Sequence, residues 1–218
     1  MILIEELKKK KKRINPWINE NNINKAVNEL TGRQGSSLME TNQKKWRLIS
    51  GSTYSVKQVI GGREEHKPVY FINFREPEKN DFLVVRQMKF RGAYNSVPDL
   101  TVFLNGLPVA VIECKAPGAK NAASNAVNDL HYYQENSPKL FHYNQFCVGI
   151  FREGGRYGAI QAPFEYYSHF RAEDNTALKQ LIRENPTNQD ELIFNLFKKG
   201  QLPDLIRHFI IFETEDNQ

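Results

Sequence analysis

The sequence predicts an α/β domain, a central mixed β-sheet flanked by helices. Apolar, β-branched runs recur between residues 54 and 113 and again at 146–151, as strands lining a core do. Segments with helical apolar spacing bracket them, at 21–30 and 36–51 before and at 121–135 after. Asn105-Gly106 separates two apolar runs, 99–104 (DLTVFL) and 108–113 (PVAVIE), a strong hairpin signal.

Taken in order, residues 3–13 (LIEELKKKKKR) read as a helix that carries six consecutive basic residues, Lys8 to Arg13. Such a run is either a phosphate-contacting arm or, more commonly, a solvated helix end. Asn15-Pro16 breaks it. NNINKAVNEL at 21–30 is a second helix, and SSLMETNQKKWRLISG at 36–51 a third, with Ser36 or Ser37 as N-cap and Gly51 at its end. YSVKQVI (54–60) alternates as a strand and is expected to pair with VYFINF (69–74), Gly61-Gly62 opening the turn between them. DFLVVRQMKF (81–90) is a third strand, leading into the Asn-Gly hairpin. The helix at 121–135 follows, then FCVGIF (146–151), a turn at Gly154-Gly155 and a short strand, RYGAIQA (156–162). From about 163 the chain reads as helical and polar. Thr187 is a plausible N-cap and Gly200 a C-cap, and the last residues fray. The domain reading is an N-terminal helical region at 1–53, a core at 54–162 and a helical extension at 163–218.

The hairpin carries the chemistry. PDLTVFLNGLPVAVIECK (98–115) opens on Asp99 and closes on Glu113 and Lys115. Glu113 and Lys115 share a face, because strand side chains repeat every two residues. A plain two-residue turn at Asn105-Gly106 sets Asp99 opposite Ile112 and turns Glu113 to the other face. Asp99 meets Glu113 only across an odd-numbered loop or a bulge, so one is expected here. Two neighbouring carboxylates invite a divalent cation, and hard oxygen ligands with few protein contacts suit Mg²⁺. Such a metal lowers the pKa of bound water and stabilises charge on a phosphoryl transition state. A lysine beside it would position the water or neutralise charge. Glu-x-Lys on a strand is more often a solvated ion pair, but charged residues ending otherwise apolar strands fit a surface face poorly. Cys114 alternates away and is expected to be buried packing.

The stretch NDFLVVRQMKFRGAYNSVPDLTVFLNGLPVAVIECKAP resembles the nuclease domain of the restriction (R) subunit of type I restriction-modification enzymes, within the PD-(D/E)xK nuclease superfamily. ETNQKKWRLISG (40–51), DLHYYQENSPKLFHYNQ (129–145) and RYGAIQAPFEYY (156–167) are similar to the same family, and DLIRHFIIFE (204–213) to the segment leading into its motor. The resemblance implies a restriction-endonuclease-like core, with Asp99, Glu113 and Lys115 as the catalytic set and Mg²⁺ as cofactor. It matches Glu40 to an acidic residue on the helix before the sheet, a further metal ligand or a solvated Glu. The family's Gln-x-x-x-Tyr element falls on Asp129 and Tyr133, which support the site or contact DNA. Asp129 stands where Gln is expected; it would either add a carboxylate near the metal or repel phosphate.

The implied function is metal-dependent cleavage of double-stranded DNA, in complex with specificity and methyltransferase subunits; the cysteine usage separately suggests a reducing cytoplasm. A stand-alone PD-(D/E)xK nuclease and a non-catalytic DNA-binding or docking module are the alternatives. The family's ATP-driven motor follows its nuclease domain. With no G-x-x-x-x-G-K-[ST] in the chain, none is expected here, and the chain is expected to be an excised or naturally truncated piece without ATPase activity. GREEH (62–66) and REGGR (152–156) read as turns, not phosphate loops.

The remaining bounds are permissive. Thirty Lys and Arg against 25 Asp and Glu give a net charge of +5, which allows nucleic acid without requiring it. Two cysteines give neither a disulfide framework nor zinc spacing. No run reaches the ~18 apolar residues of a membrane span, and no secretory signal is seen. The five histidines show no paired metal motif. His131 falls roughly 200° from both Asp129 and Tyr133 on an ideal helix and is read as structural.

Overall fold

A computed structural model describes residues 4–32, 35–51, 54–152, 154–172, 174–182 and 185–213. Thr214–Gln218, expected to fray, lie outside them. Helices α1 (Ile4–Ile14), α2 (Glu20–Thr31) and α3 (Leu38–Ile49) come first. Asn19 caps α2, its side chain accepting from Asn22 N–H, and Ser37 caps α3 through Glu40 N–H. The buried Lys45 donates to the carbonyls of Glu29 and Gly32 at 3.1 and 2.6 Å. These carbonyls lie at the C-terminal end of α2, where a helix leaves acceptors for outside donors.

A five-stranded mixed sheet runs in the order β3 (Phe82–Arg86), β4 (Leu100–Leu104), β5 (Leu107–Lys115), β6 (Phe146–Phe151) and β7 (Gly154–Gly158). Only β5 and β6 are parallel, joined by a crossover through α4 (Ala122–Asn136) and the short α5 (Pro138–Phe141), as a parallel pair demands. One face buries Val102, Ile112, Val148 and Ile150 in a cluster with Ile23 and Val27 of α2. Leu192 and Leu196 of α7 (Asn188–Leu196) and Leu202 and Ile206 of α8 (Gln201–His208) join the same cluster. The other face packs Val111 and Cys147 against Val127 and Leu130 of α4, with Phe141 and Tyr167. No helix among the described residues is long and apolar enough to cross a membrane.

Several sequence expectations are corrected. β1 (Ser55–Ile60) pairs not with 69–74 but with β2 (Arg63–Pro68), in a separate hairpin turning at Gly61-Gly62, both at positive φ. GREEH thus mostly belongs to a strand. Residues 69–74 are buried at Val69, Phe71 and Ile72 yet join no sheet, because side-chain amides take the place of a neighbouring strand. Asn15 donates to Tyr70 O (2.7 Å) and accepts from Tyr70 N–H (2.9 Å). Asn80 does the same for Asn73, at 2.8 Å in each direction. β3 stops at Arg86, before Gln87 at φ 50°. Gly154 and Gly155 lie within β7, the turn having fallen to Arg152 at φ 44°. REGGR is therefore also largely strand. Thr187 caps α7 as expected, in a capping box with Asp190, but Gly200 precedes α8 rather than closing α7, which α6 (Thr176–Ile182) precedes.

The basic run of α1 is divided: Lys9, Lys12 and Arg13 are exposed, as on a solvated helix end, while other members are drawn into the domain. Lys11 is fully buried, its Nζ donating to Phe71 O (2.9 Å) and Asn105 O (3.2 Å). Lys10 pairs with Asp81, Lys8 with Glu5, and Arg13 donates to Lys79 O. Much of the run pins α1 to the rest of the domain.

Candidate active site

The hairpin turns at Asn105 and Gly106, at φ 50° and 83°, the left-handed pair a type I′ turn requires. Leu104 faces Leu107 and Phe103 faces Pro108, as a two-residue turn dictates; then the register shifts, and Val102 faces Ala110, Thr101 faces Val111 and Leu100 faces Ile112. Val109 is the extra residue of a β-bulge. Continued one step, the shifted register sets Asp99 opposite Glu113. The expected register change is present, and it is a bulge beside an intact two-residue turn rather than a longer loop.

Asp99 and Glu113 end neighbouring strands on the face that α4 covers. An Asp99 carboxylate oxygen accepts from Cys114 N–H at 2.9 Å, which ties the start of β4 to the end of β5. Glu113 is 6% exposed. Its two oxygens accept from Lys115 Nζ and from Tyr133 Oη, both at 3.2 Å. Lys115 also forms an ion pair with Asp129. Asp129 and Tyr133, one helical turn apart, thus both reach the hairpin: Asp129 holds the lysine and Tyr133 the glutamate.

A residue that sequence reasoning missed makes this approach possible. Gly149 of β6 is in register with Glu113, and a Cβ there would lie 3.0 Å from the Cβ of Ala126 in α4. The bare backbone lets α4 sit close enough for Asp129, one turn on, to reach Lys115 and for Tyr133, two turns on, to reach Glu113. The signal was a lone glycine inside an apolar strand, which marks a close backbone approach.

The electrostatics follow from burial and crowding. Burial, then the charge of Asp99, push the Glu113 carboxyl above its ordinary range. Burial pulls the Lys115 ammonium down, but its bonds to Asp129 and Glu113 outweigh that and leave it raised. Burial and then the Glu113 carboxylate push the Tyr133 phenol up.

Other sequence candidates lie elsewhere. Glu40, in the first turn of α3, accepts from Ser36 N–H (2.8 Å), Ser36 Oγ (2.7 Å) and Lys44 Nζ (2.6 Å). The bond from Lys44, then those from Ser36, hold its carboxyl down to about 2. Among the described residues no hydrogen bond or ion pair joins it to Asp99 or Glu113. Cys114 is exposed rather than buried, since β5 runs past the end of the core here. His131 turns away from the cluster, its Nε2 lying 2.9 Å from Ala162 O.

Among the described residues no group of three or more His, Cys, Asp or Glu side chains is placed to hold a metal ion. The Asp99–Glu113 pair nonetheless fits a cation that takes one or two carboxylates and fills its other positions with water and phosphate oxygens. One Asp99 oxygen has no hydrogen-bond partner among the described residues.

The model of the type I restriction enzyme R protein N terminus matches residues 1–166 of this chain. The type I restriction enzyme HindI endonuclease subunit of Haemophilus influenzae is 25% identical over 218 residues, covering 99% of this chain and 20% of that protein. A putative type I restriction enzyme MjaVIIIP endonuclease subunit of Methanocaldococcus jannaschii is 31% identical over 148 residues, 67% of this chain and 14% of its own length. The EcoprrI endonuclease subunit of Escherichia coli is 25% identical over 155 residues, 67% of this chain and 46% of its own. The chain thus spans less than half of each of these relatives.

Proposed function

The chain belongs to the family of type I restriction enzyme R protein N termini, and from that premise we propose that it hydrolyses DNA phosphodiesters in a metal-dependent manner, as the nuclease part of such an enzyme. The observation that carries the reading is the bulged hairpin. The bulge at Val109 sets Asp99 and Glu113 opposite each other, and both face the Asp129–Tyr133 side of α4.

In this reading Asp99 and Glu113 hold Mg²⁺, which supplies an acidified water and a charge to offset that of the phosphoryl group. Each Glu113 oxygen carries one protein donor and keeps a lone pair with which it would hold the metal. Lys115 can also move off Glu113 without losing its charge partner, because Asp129 already holds it. Lys115 then stands where it can orient the attacking water or neutralise negative charge on the phosphate. Tyr133 steadies the remaining Glu113 oxygen. Glu40, held by Ser36 and Lys44, has no bond to this pair among the described residues and stands outside the reading. The site acts on the backbone rather than on bases. Site choice accordingly falls to specificity and methyltransferase subunits, ATP-driven movement to other parts of the full-length enzyme, and the place of action to the cytoplasm.

One observation favours a non-catalytic DNA-binding or docking module instead: each Glu113 oxygen is already engaged by a protein donor. The deciding experiment is nicking of supercoiled plasmid with Mg²⁺ or Mn²⁺, by the chain alone and together with partner subunits and a motor-bearing chain. Metal-dependent nicking that disappears in Glu113→Ala supports the nuclease. Silence in every combination, with no Mn²⁺ binding, sinks it in favour of the module.

A further inference from the structure

We propose that residues 88–97, the connection between β3 and β4, form a rigid basic arm that grips the phosphate backbone of duplex DNA beside the scissile phosphate. The inference rests on the nuclease reading above and extends it to the surface that holds the substrate.

The arm is built onto the site at its base. Gln87 N–H donates to the carbonyl of Asp99 at 2.9 Å, so the loop leaves from and returns to the catalytic Asp. Above that, Phe90 and Ser96 exchange backbone hydrogen bonds of 2.8 and 3.0 Å. Phe90 packs against the apolar cluster under α4.

The tip is fastened to the C-terminal end of α4. Ala93 N–H donates to Asn136 O (3.0 Å), and Ser137 Oγ donates to Ser96 Oγ (2.8 Å) in a buried contact. At Gly92 a Cβ would lie 1.8 Å from Asn136 O, so only glycine allows the backbone this close.

The arm's charged side chains are cationic and uncommitted. Between Asp81 and Asp99 the sequence holds no acidic residue. Lys89 and Arg91 are exposed, and neither has a hydrogen-bond or ion-pair partner among the described residues. Tyr94, 67% exposed, stands beside them. Several lysines elsewhere are neutralised by neighbours, as Lys57 is by Glu64, Lys79 by Glu76 and Lys44 by Glu40, although Lys25 and Lys120 have no ion-pair partner among the described residues. A cleft of about 470 Å³ separates Arg91 from Lys139, another exposed lysine with no hydrogen-bond or ion-pair partner among the described residues. Glu135 is the opposing charge in that cleft.

The spacing suits a polyphosphate. Ser137 lies about 6 Å beyond Tyr133 and about 12 Å beyond Asp129 along the axis of α4, at ~1.5 Å per residue. One DNA strand carries a phosphate every ~3.4 Å of helix axis, so on a duplex lying along α4 the arm would meet phosphates roughly two to four nucleotides from the one at Asp99 and Glu113.

The test is fluorescence anisotropy of a 30-base-pair duplex with the purified 218-residue chain in EDTA, titrated with salt. Lys89→Ala/Arg91→Ala is expected to weaken binding about tenfold and to lower the log–log salt slope by about two. Lys57→Ala/Lys67→Ala, an equal loss of charge on the β1–β2 hairpin, should bind as wild type does. The arm is refuted if the first variant binds like wild type, if the control loses as much, or if wild type binds no duplex. Plasmid nicking by wild type and by Glu113→Ala, run in parallel, reports on the nuclease reading separately. Nicking that persists while the arm variant binds normally overturns the arm alone.

Discussion

Replacing Lys11 by Met would flatten the pH dependence of stability, by an amount that can be worked out. Lys11 is fully buried on α1, bonded to Phe71 O and Asn105 O with its ammonium 5.7 Å from the Phe71 ring. Burial, helped by the charge of Lys10, brings its pKa down from 10.5 to about 7. Between these values the unfolded chain binds more protons than the folded one, so stability rises with pH across that window. A full pH unit inside it is worth about 1.4 kcal/mol. Lys11 is about half protonated at pH 7, so integrating from pH 7 to pH 9 leaves a gain of roughly 2 kcal/mol. Lys45, lowered to about 8 by burial, pushes in the same direction but is present in both proteins and drops out of the difference. Urea unfolding of wild type and Lys11→Met at the two pH values reads it directly. The gap between them should shift in favour of wild type by roughly 2 kcal/mol on going to pH 9. A shift below about 0.5 kcal/mol would mean that the Lys11 site is hydrated or relaxes, and that its burial costs little.

Other expectations concern the site. Gly149→Val should push α4 off the sheet and abolish plasmid nicking while leaving far-ultraviolet circular dichroism nearly unchanged; retained nicking would mean that the Ala126 contact does not set the helix position. Asp129→Asn should weaken Mn²⁺ binding severalfold by calorimetry, yet have little effect in a Lys115→Gln background, a double-mutant cycle that an effect of equal size in both backgrounds would contradict. In the metal-free chain the Glu113 carboxyl, followed by NMR, should titrate above the ordinary glutamate range, so that protons compete with metal at a higher pH than usual. Asp99→Asn should bring that midpoint down, and an unmoved midpoint would leave burial as the whole cause.

What could be read in advance divides along physical lines. Asn105-Gly106 announced the hairpin because two left-handed residues in succession have few other uses. The face shared by Glu113 and Lys115 follows from strand geometry, and the reach of Asp129 and Tyr133 from helix geometry. Combining the turn with a facing Asp99 and Glu113 required an odd residue, and Val109 is that residue. The pairing of β1 was misjudged because 69–74 has the composition of a strand while Asn15 and Asn80 supply its hydrogen bonds. No pattern of apolar residues reveals such an arrangement. The lysine run was opaque for a similar reason: identical residues go to unlike partners, and those of Lys10 and Lys11 lie 60 to 94 residues away. That Asp129 would hold Lys115 was equally out of reach, since a residue type gives no choice between two cations.

The bulge at Val109 makes the site a question of parity. Lengthening or shortening the β4–β5 connection by two residues would leave Asp99 and Glu113 looking at each other. A change of one would swap Glu113 and Lys115 for Cys114 on the α4 face, with every strand still formed and the core still apolar. Length variation in this hairpin should therefore come in even steps, or as an odd step matched by gain or loss of a bulge. A well-folded, silent relative with an uncompensated odd step would carry its defect in a count, with every acidic residue still in place.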